Sequence, residues 1–162
     1  MTRLRGRAPR GERLVVKVPH GHWHTTTLIA ALGMSGIVCS TTVDAAVNGD
    51  VFEAFVEQIL VPELRPGDTV VMDNLSSHKR ASTIRKIEAA GAEVEFLPPY
   101  SPDLNPIENV FSKIKTRLRS LACRTRGQLW EKMQSVLDEV TPMDAANCFR
   151  HCGYATNELG ML

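Results

Sequence analysis

Residues 69–73 read Thr-Val-Val-Met-Asp, a short apolar run that ends on a carboxylate. A continuous apolar run of this length, preceded by the turn Arg-Pro-Gly-Asp at 65–68, is typical of a strand that is covered on both faces. Asp73 then lies at the carboxyl end of a buried strand, where α/β sheets place groups that bind ligands. The alternative is a turn aspartate that bonds to its own backbone, because Asn-Leu-Ser-Ser-His follows it.

The segments on either side of this run alternate between strand and helix patterns. The β-branched stretches 23–31 and 37–43 predict a hairpin, and residues 93–97 alternate polar and apolar as a half-exposed strand does. Helical patterns cover 48–60, 79–90, 106–122, 128–140 and 142–152. Such alternation predicts an α/β layer fold with helices on both faces of a sheet. We also expect Trp130 and Met133, at helical spacing, to lie in the core.

Length and composition favour one globular domain over residues 1–162, with a basic segment at 1–17 and further helices at 128–162. Hydrophobic residues make up 43% of the chain, but no apolar stretch approaches the ~18 residues of a membrane helix. No apolar segment follows the basic N-terminus, so we expect a cytoplasmic protein without a secretory signal or membrane partner. The four cysteines are then expected to be free thiols.

Positive charge is concentrated in two places although the net charge is only +1. Residues 1–17 and 113–126 hold six lysines and arginines each, out of 19 in the chain. Zones of this kind suit a surface that binds phosphate groups, whereas many basic runs are only solvated faces. The charge pattern therefore allows a nucleic-acid partner without requiring one.

The helix predicted from Pro106 carries a carboxylate and cations on one face. At about 100° per residue, four polar residues form a stripe beside the apolar one: Glu108, Ser112, Lys115 and Arg119. Asn105 and Glu108 also have the spacing of a capping box, so Glu108 could serve only as a helix cap. Taken with Asp73, the stripe suits a site where metal ions are held against a phosphodiester while cations contact the strand.

Two stretches resemble the second and third acidic motifs of DDE transposases, from bacterial insertion sequences of the mariner-like superfamily. They are Val-Val-Met-Asp-Asn-Leu-Ser-Ser-His-Lys at 70–79 and Phe-Leu-Pro-Pro-Tyr-Ser-Pro-Asp-Leu-Asn-Pro-Ile-Glu at 96–108. The 34 residues between Asp73 and Glu108 fit the spacing of that group, and the resemblance covers roughly residues 5–154. It implies a ribonuclease H-like fold, a mixed sheet flanked by helices, in which three carboxylates bind two Mg²⁺ or Mn²⁺ ions.

The resemblance implies roles for named residues. Asp73 and Glu108 would be catalytic metal ligands, and Asn74 and His78 would support the site beside the second acid, by hydrogen bonds or backbone contacts. The activity implied is nicking of DNA followed by strand transfer, on transposon ends and target DNA, by a homo-oligomer. We predict that three cations of the same helix contact DNA phosphates: Lys113, Lys115 and Arg119.

One part of the family pattern is missing. In these proteins the first acid lies on a first, central strand, upstream of an Arg-Gly-rich segment like residues 5–11. We therefore expect an N-terminally truncated domain that lacks this strand and is inactive alone. Asp44 has no motif that makes it a replacement, although residues 14–18 could occupy part of the vacant position. The histidines at 20–24 lack complementary ligands, so we do not expect them to hold zinc.

Two other functions fit the same residues. The chain could be an inactive transposase remnant that at most binds DNA, because no helix-turn-helix region accompanies the acidic motifs. It could also be a ribonuclease H-like nuclease that is not a transposase. Metal-dependent nicking of DNA, and its loss on substitution of Asp73 or Glu108, separates these alternatives.

Overall fold

The strands form two pairs rather than one continuous sheet. The computed structural model describes residues 6–15, 17 and 25–154. The elements are β1 (Thr27–Gly33), β2 (Gly36–Val43), α1 (Gly49–Phe55), β3 (Thr69–Met72), α2 (Ala81–Ala89), β4 (Glu93–Phe96), α3 (Pro106–Leu121), α4 (Arg126–Asp138) and α5 (Pro142–His151). Helix α1 continues through a π-helical turn at Val56–Leu60 and a 3-10 turn at Val61–Glu63.

The two pairs differ in the relative direction of their strands. Strands β1 and β2 are antiparallel, from Thr27 opposite Val43 to Gly33 opposite Gly36. Strands β3 and β4 are parallel, from Thr69 opposite Glu93 to Met72 opposite Phe96. Within the described residues each strand has a single strand partner, so β1 and β3 both have a free edge. Of the segment expected to fill part of the vacant position, Leu14 and Val15 are exposed and form no strand.

The hairpin β1–β2 lies between two hydrophobic cores. The α1 core consists of Phe52, Phe55, Val56, Leu60, Met72, Ile87 and Ala92. The α3 core consists of Val110, Ile114, Leu118, Met133, Val136, Leu137 and Val140. Because side chains of a strand alternate between faces, Ile29 of β1 packs against the α1 core and Leu28 against the α3 core. Helices therefore cover both faces of the hairpin, as the sequence predicts.

The pair β3–β4 is buried on one face only. Val70 and Met72 of β3 face the α1 core, but Val71 is 38% exposed. In β4, opposite, Glu93 and Glu95 are exposed and lie on that same outer face. The prediction that β3 is covered on both faces is therefore wrong. The sequence of one short strand does not identify the strand that pairs with it. Here Glu93 and Glu95 of the paired strand keep the outer face exposed to water.

Helix α4 corrects a second prediction. Met133 is buried, as predicted, but Trp130 is 44% exposed. The face of α4 that packs on the α3 core runs through Leu129, Met133, Val136 and Leu137. Trp130 lies at the edge of this face, about 100° from Leu129 around the helix. No helix in the described part is long and apolar enough to cross a bilayer.

Candidate active site

The carboxyl ends of β3 and β4 lie side by side at one edge of their sheet. The pair is parallel, and the amide of Leu97 donates a hydrogen bond to the carbonyl of Met72 at 2.8 Å. Asp73 follows Met72 directly, so it leaves the sheet next to Leu97. This edge is where the sequence places the second acid.

The loop 73–78 holds the Asp73 carboxylate through one of its oxygens. Asp73 Oδ1 accepts a hydrogen bond from the Leu75 amide at 3.2 Å, as in a turn closed by an aspartate. The same oxygen lies 2.6 Å from His78 Nδ1, an ion-pair distance without the direction of a hydrogen bond. Asp73 Oδ2 contacts no polar partner within the described residues, and the side chain is 39% exposed. Asp73 can therefore both close the turn and bind a ligand, because the two roles use different oxygens.

His78 is positioned from behind by an aromatic side chain. Its ring lies against Phe52 with 4.0 Å between the ring centroids and a tilt of 32°. Phe52 belongs to the α1 core, and the His78 amide donates to the carbonyl of Leu75 at 3.0 Å. The core thus fixes the histidine, and the histidine contacts the carboxylate. The sequence gives no signal for this contribution of Phe52, since residues 52 and 78 are linked by no motif.

Asn74, the other residue predicted to support the site, has a buried amide oxygen. Asn74 Oδ1 has no hydrogen-bond partner among the described residues. A buried acceptor without a donor is uncommon in folded proteins. Such an amide oxygen is also a hard ligand, which can coordinate a divalent cation or accept a hydrogen bond from a water bound to one.

Glu108 lies in the first turn of α3 and is not used as a cap. Asn105 occupies the N-cap position, but its side chain makes no capping hydrogen bond, and Pro106 takes the first helical position. The capping-box reading of Asn105 and Glu108 is therefore wrong. The Glu108 side chain is exposed and makes no hydrogen bond or ion pair within the described residues. Its carboxylate is free to bind a ligand.

A small cavity connects the end of β4 with the start of α3. It has a volume of about 190 Å³ and is lined by Leu97, Leu104, Cys152, Gly153 and Tyr154. The hydroxyl of Tyr154 donates to the carbonyl of Leu104 at 3.1 Å. The cavity therefore brings Leu97, which lies beside Asp73 in the sheet, close to Leu104, which precedes α3.

The described residues contain no group of three or more His, Cys, Asp or Glu side chains arranged to hold a metal ion. Asp73, His78 and Glu108 therefore do not form such a group here. What the structure offers is two partly open carboxylates, Asp73 after β3 and Glu108 in the first turn of α3. Asp44 is not available as a third, because it pairs with Arg126 of α4. The histidines at 20–24 lie outside the described residues.

The predicted DNA-contacting cations of α3 differ in their surroundings. Lys113 is paired with Asp144 of α5 at 2.5 Å, and its hydrogen bond is the main reason why the pKa of Asp144 falls to about 2. The ammonium of Lys115 lies 6.0 Å from the centre of the Phe111 ring, and its side chain is exposed. Neither Lys115 nor Arg119 has an acidic partner in the described part of the chain. These two cations therefore remain accessible to an anion.

A further cation, Lys79, lies at the sheet edge and was not predicted from the sequence. The ammonium of Lys79 lies 5.7 Å from the centre of the Phe96 ring, and Phe96 is the last residue of β4. Lys79 closes the loop that begins at Asp73 and is exposed to solvent. Its position at the end of the 70–79 stretch was the only available signal.

The family described as DDE superfamily endonuclease matches residues 1–130 of the chain. Solved structures of the Mos1 mariner transposase share its fold at low identity. The Mos1 strand transfer complex is 17% identical, with a TM-score of 0.70 over 94% of this chain and 46% of that one. The Mos1 mariner paired end complex with Mn is 16% identical, with a TM-score of 0.65 over 94% and 47%.

The Mos1 transposase catalytic domain with raltegravir and Mg is 18% identical, with a TM-score of 0.60 over 78% of this chain and 68% of that one. The chain spans about half the length of the first two structures. No curated protein matches it. These likenesses confirm the predicted ribonuclease H-like α/β fold.

Proposed function

The chain belongs to the DDE superfamily endonuclease family, and on that basis we propose that it is the catalytic domain of a DNA transposase. The reaction would be metal-dependent cleavage of a DNA strand followed by strand transfer. The observation that carries the proposal is the state of Asp73 at the carboxyl end of β3, with one oxygen oriented by His78 and Leu75 and the other open. An aspartate needed only for its turn would not require the histidine.

In this proposal Asp73 and Glu108 would be ligands of a pair of Mg²⁺ or Mn²⁺ ions. Both side chains offer open carboxylate oxygens, which are the hard ligands that these ions prefer. When bound, two such ions activate a water or 3′-hydroxyl nucleophile and stabilise the leaving oxygen of an in-line displacement. In this proposal His78 orients Asp73, and Asn74 Oδ1 accepts a hydrogen bond from a bound water.

The third carboxylate would come from a strand that pairs with the free edges of β1 and β3. The structure supports this because both strands lack a second partner among the described residues. A strand between them would join the two pairs into one mixed sheet. It would also end near Asp73 if it ran parallel to β3, since parallel strands present their carboxyl ends at one edge.

Contacts to DNA would come from the open cations of α3. Lys115 and Arg119 lie on the same helical stripe as Glu108, so a strand cut at Glu108 would run over them. They would hold phosphates and position the DNA without reading its sequence. Lys113 could contribute only by leaving Asp144. By likeness to the Mos1 strand transfer and paired end complexes, we propose transposon ends and target DNA as substrates and a homo-oligomer as the active form.

A second candidate function is a remnant that binds DNA and does not cut it. One observation favours it, namely that the described residues contain no three-ligand group. A nuclease of the same fold that does not transpose would share the two carboxylates but would not join a cut end to target DNA.

The test is nicking of supercoiled DNA in Mg²⁺ or Mn²⁺. We expect Asp73→Asn and Glu108→Gln each to lower the nicking rate at least about 100-fold, more than loss of a residue that merely supports a ligand. Asp103→Asn is the matched control, because Asp103 is an exposed carboxylate in the 3-10 turn just before α3. It should leave the rate unchanged.

Three outcomes separate the candidates. Nicking that survives both ligand substitutions would overturn the proposed mechanism. Salt-dependent DNA binding without nicking, both by this chain and by a form that supplies the strand with the third carboxylate, would favour the remnant. Nicking without joining of a cut transposon end to target DNA would favour the other nuclease.

A further inference from the structure

Tyr100 adopts a backbone conformation that its side chain does not favour. Its φ angle is +60°, and in the described part only Ala122 shares a positive φ among residues other than glycine. Ala122 ends α3, a place where the left-handed conformation is common. Tyr100 ends no helix. A bulky residue with positive φ is unusual and persists only where its surroundings impose it.

The surroundings of Tyr100 explain how this conformation is imposed. Pro98 and Pro99 precede it and Pro102 follows, and each proline fixes its own φ. The 3-10 turn at Pro102–Leu104 is closed by the Leu104 amide, which donates to the carbonyl of Ser101 at 3.2 Å. The backbone of the loop is therefore restricted, which fixes the direction in which the Cα–Cβ bond of Tyr100 points.

That direction is into solvent, because the Tyr100 side chain is fully exposed. A ring that is buried could offset an unfavourable backbone by packing, but this ring packs against nothing. Two other exposed apolar side chains lie in the loops that leave the same sheet edge, Leu75 and Leu104. Apolar surface is thus presented beside the candidate site and not hidden from water.

We propose that Tyr100 stacks on the terminal base of the DNA strand that is cut at this site. The inference rests on the proposed function, since the loop 97–105 joins the end of β4, beside Asp73, to the helix that carries Glu108. Inside a duplex the faces of a base are covered by its neighbours. Cleavage creates a strand end whose terminal base has an open face, and a rigid aromatic ring is suited to it.

Lys79 supplies the charge that this ligand requires. Its ammonium lies over the Phe96 ring at the end of β4 and is exposed. It would contact a phosphate of the strand whose terminal base meets Tyr100. The two residues have separable effects, because stacking needs an open base and phosphate contact does not.

The experiment measures binding of two fluorescein-labelled duplexes by anisotropy, in EDTA so that no cleavage occurs. One duplex is blunt, and the other has the same sequence with a short single-stranded 3′ extension. We expect Tyr100→Gly to weaken binding of the extended duplex by about 5- to 100-fold, the range measured for loss of one stacked base. Binding of the blunt duplex should weaken less, because its terminal bases have an open face but stay paired.

Glycine is an informative substitution at this position, because it removes the ring and adopts a φ of +60° without strain. Tyr100→Gly should therefore unfold at the same or a higher urea concentration than the unsubstituted chain while it binds extended DNA more weakly. Tyr100→Phe keeps the ring and should bind within about twofold of the unsubstituted chain. Lys79→Ala should weaken binding of both duplexes to the same extent.

The inference is overturned if Tyr100→Gly binds the extended duplex normally, if it weakens both duplexes equally, or if Tyr100→Phe is as weak as Tyr100→Gly. It is also overturned if the unsubstituted chain binds both duplexes equally or neither. None of these results decides the proposed function, which is measured by metal-dependent nicking and its loss in Asp73→Asn and Glu108→Gln.

Discussion

Asp73 and Glu108 both follow a strand of the β3–β4 pair, yet their carboxylates are held in different ways. Asp73 has a histidine 2.6 Å from one oxygen, and that histidine is stacked on a core phenylalanine. Glu108 has no polar partner in the described part of the chain, and only its helix determines where it points.

The difference shows that the two sides of the candidate site depend on different cores. Asp73 is oriented through His78 by the α1 core. Glu108 is placed by the packing of α3 on the α3 core, and by ion pairs of Lys113 and Arg117 with Asp144 and Glu139. Geometry at one carboxylate can therefore be disturbed while the other is preserved.

The largest expected effect comes from removing a buried side chain from either core. Ile87 and Ile114 are almost fully buried, one in each core. Each substitution by alanine should lower the free energy of unfolding by about 2–5 kcal/mol, because the cavity is only partly refilled. Urea denaturation measures this loss, and Ser112→Ala, an exposed change on α3, should stay within about 0.5 kcal/mol.

Hydrogen exchange in the native state then tests the separation of the two cores. Ile87→Ala should speed exchange of the Leu75 amide, which donates to Asp73, more than Ile114→Ala does. Equal acceleration by both variants would show that the two cores open as one unit.

A smaller effect, dependent on pH, is expected where α3 is tied to α5. The pKa of Asp144 is lowered to about 2, first by the hydrogen bond from Lys113 and then by those from Thr141. A carboxylate with a lowered folded pKa contributes stability that is fully present above its unfolded pKa, about 3.9, and is lost as the pH falls through 2.

Asp144→Asn should therefore cost about 1 kcal/mol between pH 5 and 7, the size of a lost cap and exposed ion pair, and nothing below about pH 1. Urea denaturation across this pH range measures the difference. In Lys113→Met the pH-dependent contribution of Asp144 should be smaller, and its loss should be complete at a higher pH, because the main cause of the lowered pKa is gone. A difference that does not vary with pH would rule out the pair as its source.

The smallest effect, that of changing Glu108, sharpens the comparison with Asp73. Asp73→Asn should lower stability at pH 7 by about 0.5–1.5 kcal/mol, since it weakens the contacts of one oxygen with Leu75 and His78. Glu108→Gln should change it by about 0.5 kcal/mol or less, because the side chain is exposed and unpaired. Thermal or urea unfolding of the two variants measures both. A larger loss for Glu108→Gln would mean that Glu108 is held as firmly as Asp73.

Much of the fold could be predicted because local chemistry marks it. The strand over Thr69–Met72 was bounded by a turn and by Asp73, and α3 began at Pro106 as predicted. Trp130 was misplaced because a helical repeat does not show which of two adjacent residues faces the core. The sequence did not predict that only one face of β3–β4 is covered, because the residues of β3 alone do not identify the strand that pairs with it or the side chains that pack on it.

The candidate site was predicted as a set of residues but not as an arrangement. Asp73, Glu108, Asn74 and His78 were identified through their motifs. The sequence did not predict the contact between His78 and Asp73, because either residue alone could have formed the turn. The roles of Phe52 and Lys79 were not predicted, because each depends on a segment packed against it from elsewhere in the chain.

The sequence by itself determined the order of strands and helices, the family, and the two acidic motifs, because turn residues, hydrophobic periodicity and short motifs act over a few neighbouring positions. Only the tertiary structure decided which oxygen of Asp73 is occupied, that Glu108 is open, that Lys113 is paired, and that Tyr100 projects into water. These properties arise from contacts between residues far apart in the chain, and such contacts form only when the cores pack.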